Sequence, residues 1–179
     1  MSLLAIVTSV VMAATAPGDA PRPAVPAHVH RLLTAPDRNV RTFDRRVLTA
    51  LFDGARRSAT FAQLLDALDG SDVIAYIELT HDLPVTTQGR LLLATNTPDH
   101  RYVRIQVRAM QAPDDLIAVI GHELQHAVEI VEAPAVRDEA SMRRHYEIAG
   151  AGRSHALGFE TRAAQDAGWR VRKELRKNA

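Results

Sequence analysis

The sequence predicts an α+β fold: a small, mostly antiparallel sheet of about three strands packed against one apolar helix, with further helices on either side. Three observations carry this. Apolar residues recur at helical spacing between positions 43 and 68. From 72 to 108 the chain turns to β-branched and alternating residues, and after Pro113 helical spacing returns on a more apolar segment.

The elements follow in order. Phe43, Val47, Leu48, Leu51 and Phe52 place a helix over 43–58, with Arg41, Arg45, Arg46, Arg56 and Arg57 on its solvated faces. Thr60 is expected to cap a second helix, 61–68, closed by Gly70. Strands are expected over 72–79 and 89–95, and Asn96 to Asp99 is turn chemistry. Tyr102 to Arg108 alternates apolar and polar, which predicts a half-exposed strand paired with 89–95 and lying at or near a sheet edge. Pro113, Asp114 and Asp115 suit the first turn of a helix over 113–133, which Pro134 stops. Further helices are expected over 138–148 and 159–177, separated by Gly150-Ala151-Gly152. The basic ending of the last one complements a helix carboxyl end.

The chain has 179 residues, enough for one domain, placed over 28–179: a helical part (28–70), the sheet (72–108), the apolar helix and the C-terminal helices (138–177). Leu3 to Ala16 is apolar, too short to span a bilayer, and ends in Ala14-Thr15-Ala16, which fits a signal-peptide cleavage site. No Lys or Arg precedes the run, and Pro17 follows the cut. The expectation is an export signal (1–16) and a Pro-rich linker (17–27), hence a periplasmic or secreted bacterial protein without stable membrane insertion. A short helix is expected around His30 to Leu33. A net charge of +1 argues against nucleic acid as partner, and the absence of cysteine removes disulfides, zinc-thiolate sites and thiol nucleophiles.

The chemistry is concentrated in His122-Glu123-Leu124-Gln125-His126. Residues four apart share a helix face, so both imidazoles can address one ion. Glu123 lies about 100° round the helix, beside the ion but not on it, where a base for an activated water belongs. Ile117, Ile120, Leu124, Val128 and Val131 form an apolar stripe, widened by Leu116, Ala127 and Ile130. A helix this apolar is largely buried, and buried histidines need partners.

A catalytic zinc site usually has three protein ligands. Glu129 lies seven residues from His122, a rise of roughly 10 Å, and suits a supporting group or a simple salt-bridge partner better than a third ligand. Glu160 falls in register with Ala164, Ala167, Val171 and Leu175, a stripe that turns it toward the core. It is the preferred third ligand, with His145 and His155 as alternatives. The small residues Ala163, Ala164, Ala167 and Gly168 would let this helix approach another closely.

H-E-x-x-H with a downstream Glu resembles the gluzincin group of zinc metallopeptidases, and the segment around it resembles small exported bacterial proteins with an H-E-L-Q-H core. The resemblance covers mainly the chain from Asp72 onward. It implies a zincin-like fold, one zinc ion held by His122, His126 and Glu160, Glu123 as general base, and a peptide or protein substrate lying along a strand edge, here 102–108. Tyr146, His145 or His155 would face the transition state. The group often carries Asp four residues after the ligand Glu; here that position is Ala164, so Asp166 or Asp138 would have to orient a histidine. The longer metzincin motif is excluded, because Glu129 and Glu132 stand where it needs Gly and His. Two rival readings keep the ion but not the protease: a non-peptidase zinc hydrolase, and an exported protein with a structural or vestigial site.

Overall fold

The computed structural model describes residues 38–148, 152–154 and 158–178. The expected export signal, linker and helix near His30 lie outside them, as does His155. A two-residue strand β1 (Val40–Arg41) leads into helices α1 (Arg45–Arg57) and α2 (Ala59–Asp69). Asp44 caps α1, its side chain accepting from the backbone N–H groups of Arg46 and Val47. Ser58, not Thr60, caps α2 by accepting from the Phe61 N–H, because the helix begins two residues earlier than the apolar spacing indicated. Thr60 instead donates its hydroxyl to Glu174 at 2.8 Å.

Three longer strands follow: β2 (Val73–Thr80), β3 (Gly89–Asn96) and β4 (Arg101–Arg108). The sheet order is β1-β2-β4-β3. β1 and β4 both run parallel to β2, and only β3 is antiparallel, to β4. The sheet is therefore mixed and four-stranded rather than mostly antiparallel. The expected β3–β4 hairpin is present, but β4 is an interior strand and β3 is the edge. Alternation along β4 misleads because its outer residues, such as Arg104, face solvent across the sheet, not beyond its rim. Val103, Ile105 and Val107 fill the inner face, and β1 was too short to leave a period in the sequence.

Helix α3 (Pro113–Glu132) lies across this inner face. Ile117, Ile120, Leu124, Ala127 and Ile130 are each at most 1 % exposed. Full burial of each larger aliphatic among them stabilises by roughly 1.5–3 kcal/mol. After α4 (Glu139–Ile148) the chain forms a short antiparallel pair, β5 (Gly152–Ser154) with β6 (Gly158–Glu160), and ends in α5 (Arg162–Lys177). The expected helix over 159–177 thus starts later, at Arg162, capped by Thr161, whose side chain accepts from the Ala164 N–H. Ala164, Ala167, Val171 and Leu175 form the expected buried stripe of α5, packed along α3. No helix among the described residues is long and apolar enough to cross a membrane.

Sheet and α3 are locked by one side chain. Arg101, at the start of β4, is 1 % exposed. Its Nε and Nη2 donate to the two carboxylate oxygens of Asp72 at 2.8 and 2.6 Å. Its Nη1 donates to the carbonyls of Ile130 at 2.6 Å and Ala133 at 2.9 Å. A guanidinium therefore caps the carboxyl end of α3, satisfying carbonyls the helix leaves open and complementing its dipole. The Arg101 hydrogen bond and charge outweigh desolvation and hold the Asp72 carboxyl below its ordinary value.

Removing Arg101 strands a carboxylate and several carbonyls, so Arg101→Met is expected to cost about 3–5 kcal/mol in urea unfolding; a cost under about 1 kcal/mol would contradict this role. Because Asp72 has a depressed value in the folded state, its contribution is complete above the unfolded value near 3.9 and is lost as pH falls through the folded value. Asp72→Asn should flatten the acid limb of the stability profile in that window and leave the slope near pH 7 unchanged.

Candidate metal centre

Each potential ligand is set by its own element. His122 and His126 sit one turn apart on α3, rings 5.0 Å apart and 75° between planes. Glu160 ends β6 and reaches the same point from the other side. It is not on α5 as the spacing suggested; the α5 stripe happened to be in register with a residue two positions before the helix. One ligand atom from each of His122, His126 and Glu160 lies within 4.8 Å of the others.

The three side chains could hold a cation. His122 Nε2 is 3.3 Å from Glu160 Oε1. Burial and the neighbouring His126 push His122 down to about 4, against weaker opposition from Glu129 and the Ala164 backbone, so its imidazole is neutral at pH 7. Glu160 Oε1 is buried and has no hydrogen-bond partner. Burial raises the Glu160 carboxyl despite the nearby His126. Two acceptors thus face each other with no proton bridging them in hydrogen-bond geometry, an arrangement a bound cation satisfies.

Support behind these ligands comes from Glu129. Its Oε2 is 2.8 Å from His126 Nδ1, and its Oε1 accepts the Thr161 hydroxyl at 2.6 Å. A carboxylate at Nδ1 makes that nitrogen the donor and leaves Nε2 as the free acceptor. Burial opposes a charge on His126, yet the Glu129 hydrogen bond and the Glu123, Glu129 and Glu160 charges outweigh it and raise the group. Desolvation raises Glu129, but the His126, Thr161 and Tyr146 contacts outweigh it and lower the group. Since Thr161 adjoins Glu160 and caps α5, Glu129 orients His126 and anchors the segment carrying Glu160. Glu129 thus makes the contact to a histidine that was sought from Asp166 or Asp138. Asp166 is 62 % exposed beside Arg162. Asp138 accepts from the backbone and hydroxyl of Ser141 at the start of α4.

Glu123 lies beside the triad, 4 % exposed. Burial, reinforced by Glu160 and Glu129 against His126, pushes its carboxyl up to about 7. Its neighbour across the gap is the first residue of β3: a methyl group on Gly89 would fall 2.6 Å from Glu123 Oε1. On the other side, a methyl on Gly168 of α5 would fall 3.2 Å from His122 Cβ. At Gly89 a side chain would force Glu123 or Val119 to move; at Gly168 the approach is close but less demanding. The close approach of α5 was legible in its small residues; the Gly89 contact was not, because nothing local pairs residues this far apart.

Tyr146 stacks on Phe159, centroids 4.9 Å apart, and meets His126 edge-on at 5.9 Å. Its hydroxyl lies near Glu129 but makes no well-formed hydrogen bond, and burial with that neighbouring charge raises its value. His145 packs edge-on against Tyr146 at 5.3 Å and takes no part in the cavity wall. A cavity of about 560 Å³ opens over the triad. Its floor is α3, one wall is the start of β3 (Gly89, Leu91), and the other is α5 with Trp169.

Glu129→Gln keeps the shape but weakens the carboxylate at His126 Nδ1, so affinity for a divalent ion, measured by competition with a chromogenic chelator, should fall about 10–100-fold. Gly89→Ala should leave that affinity within about twofold while displacing Glu123, because Gly89 touches no ligand; equal loss in both variants would refute the division of roles. No protein-family model, no curated protein and no solved structure matches this chain, so the reading of this centre rests on its own geometry.

Proposed function

We propose that the chain is a zinc-dependent hydrolase of peptide bonds. The observation that carries this is the meeting of His122, His126 and Glu160 with a buried carboxylate, Glu123, beside them and a cavity in front. Two imidazoles and one carboxylate at a three-ligand centre are the donor set of catalytic zinc. Zinc held there lowers the pKa of water and polarises a carbonyl.

The residues divide the remaining work. Glu123, raised toward neutrality, takes a proton from the attacking water and returns it to the leaving nitrogen. Glu129 keeps His126 in the tautomer whose Nε2 accepts. The edge strand β3 presents unpaired backbone groups beside Glu123, where an extended peptide can add as a further strand. That edge belongs to 89–96, not to 102–108, which is paired on both sides. Of the expected transition-state groups that lie among the described residues, Tyr146 lines the cavity and His145 does not.

The group contains three ligands among the described residues, and the cavity is bordered by a strand edge. Both features favour a working site on an extended substrate over a closed structural one. Glu123→Gln is the deciding variant. It should retain one zinc per chain while cleavage of a casein or peptide library falls by at least about a thousandfold. Undiminished cleavage by that variant would remove Glu123 as base, and full zinc loading with no cleavage by the wild type would end the peptidase reading.

A further inference from the structure

The wall of the cavity formed by α5 has a chemistry that metal binding does not explain. Trp169 is 61 % exposed at the cavity rim, the largest apolar side chain a protein can leave in water. Lys173 Nζ stands 4.9 Å from the centre of its ring. Arg172 lines the cavity, and Arg176 and Lys177 continue the same face to the end of the helix. In all, α5 carries six basic and two acidic residues in a protein whose net charge is only +1.

Complementing the helix dipole accounts for part of this strip only. That effect is confined to the last turn, which holds Arg176 and Lys177. Trp169, Arg172 and Lys173 lie further in. Neighbouring acids neutralise only part of the strip. Glu174 is turned to the other side, accepting from the Ser58 and Thr60 hydroxyls at 2.6 and 2.8 Å. Asp166 lies 3.8 Å from Arg162 at the opposite end. Asp115 meets Arg172 at 3.0 Å, leaving Lys173 and Arg176 exposed without an ion pair among the described residues.

A cationic strip continuous with the cavity points to the charge of what enters it. Resting on the peptidase reading, we propose that the substrate is an acidic peptide. The segment to be cut lies between β3 and the triad. Trp169 packs against the chain leaving the cavity over α5, and carboxylates on that flank are held by Lys173 and Arg176. An aromatic anchor ringed by charge is a usual way to fix register, and complementary charge sets both partner choice and encounter rate.

Trp169 is the only tryptophan of the chain, so its fluorescence reports this rim directly. The full-length zinc-loaded protein is titrated with three peptides sharing one apolar centre and flanked by Glu, Ser or Lys. The Glu-flanked peptide should shift the emission and bind at least about tenfold tighter than the Ser-flanked one, an advantage lost near 0.5 M salt. The double variant Lys173→Glu, Arg176→Glu should invert the order of the Glu- and Lys-flanked peptides. Equal affinity for all three, preference for Lys flanks, or a response only to a sulfated polysaccharide or single-stranded DNA overturns the proposal. Tight binding of the Glu-flanked peptide with no peptide cleaved keeps the acidic-peptide preference of this strip and removes the peptidase reading, so that the peptide is a ligand and not a substrate. Cleavage indifferent to the flanks does the reverse.

Discussion

His122 Nε2 and Glu160 Oε1 stand 3.3 Å apart with no hydrogen bond joining them, a contact that a bound cation would satisfy. That constraint governs the described part of this chain. His122 is kept neutral by burial, and Glu160 keeps an oxygen buried and unpaired against it. Folding has to hold these groups in place against their mutual desolvation. It does so by fixing each element from outside the site. Arg101 binds the far end of α3 to the sheet, and Glu129 ties the histidine helix to the cap of α5. The ligands themselves make few bonds; the groups behind them make many.

The same economy of contact explains the two glycines. Gly168 lets α5 lie close on His122, and Gly89 lets the sheet edge lie close on Glu123. Their combined effect is to place Glu123 and the triad between two backbones, with the sheet edge beside Glu123. Arg108 steadies this edge by donating to the carbonyls of Leu83, Pro84 and Thr87 in the loop that leads into β3. The position of Glu123 therefore depends on the β2–β3 connection as well as on its own helix.

Much of the centre was legible in the sequence because its signals are local. His122, Glu123 and His126 share one helix, and the apolar stripe of α3 marks that helix as buried. Glu160 was found for a reason only partly right: its inward direction is real, but it comes from strand β6 and the Thr161 cap, not from the helical register of α5. What stayed hidden depends on pairing between distant segments. The parallel pairing of β2 with β4 puts β4 inside the sheet, and no alternation along one strand records which neighbour it has. Glu129 was recognised as a supporting group, yet its second partner, Thr161, lies 32 residues away and had no local signature.

The account stands on the triad being a metal centre, and the most direct test is the metal itself. Zinc-loaded protein, dialysed free of excess ion, should retain one zinc per chain. Its X-ray absorption spectrum should show two imidazole nitrogens and a carboxylate oxygen at about 2.0–2.2 Å. Zinc lost on dialysis, or a coordination shell without histidine, would contradict the central claim.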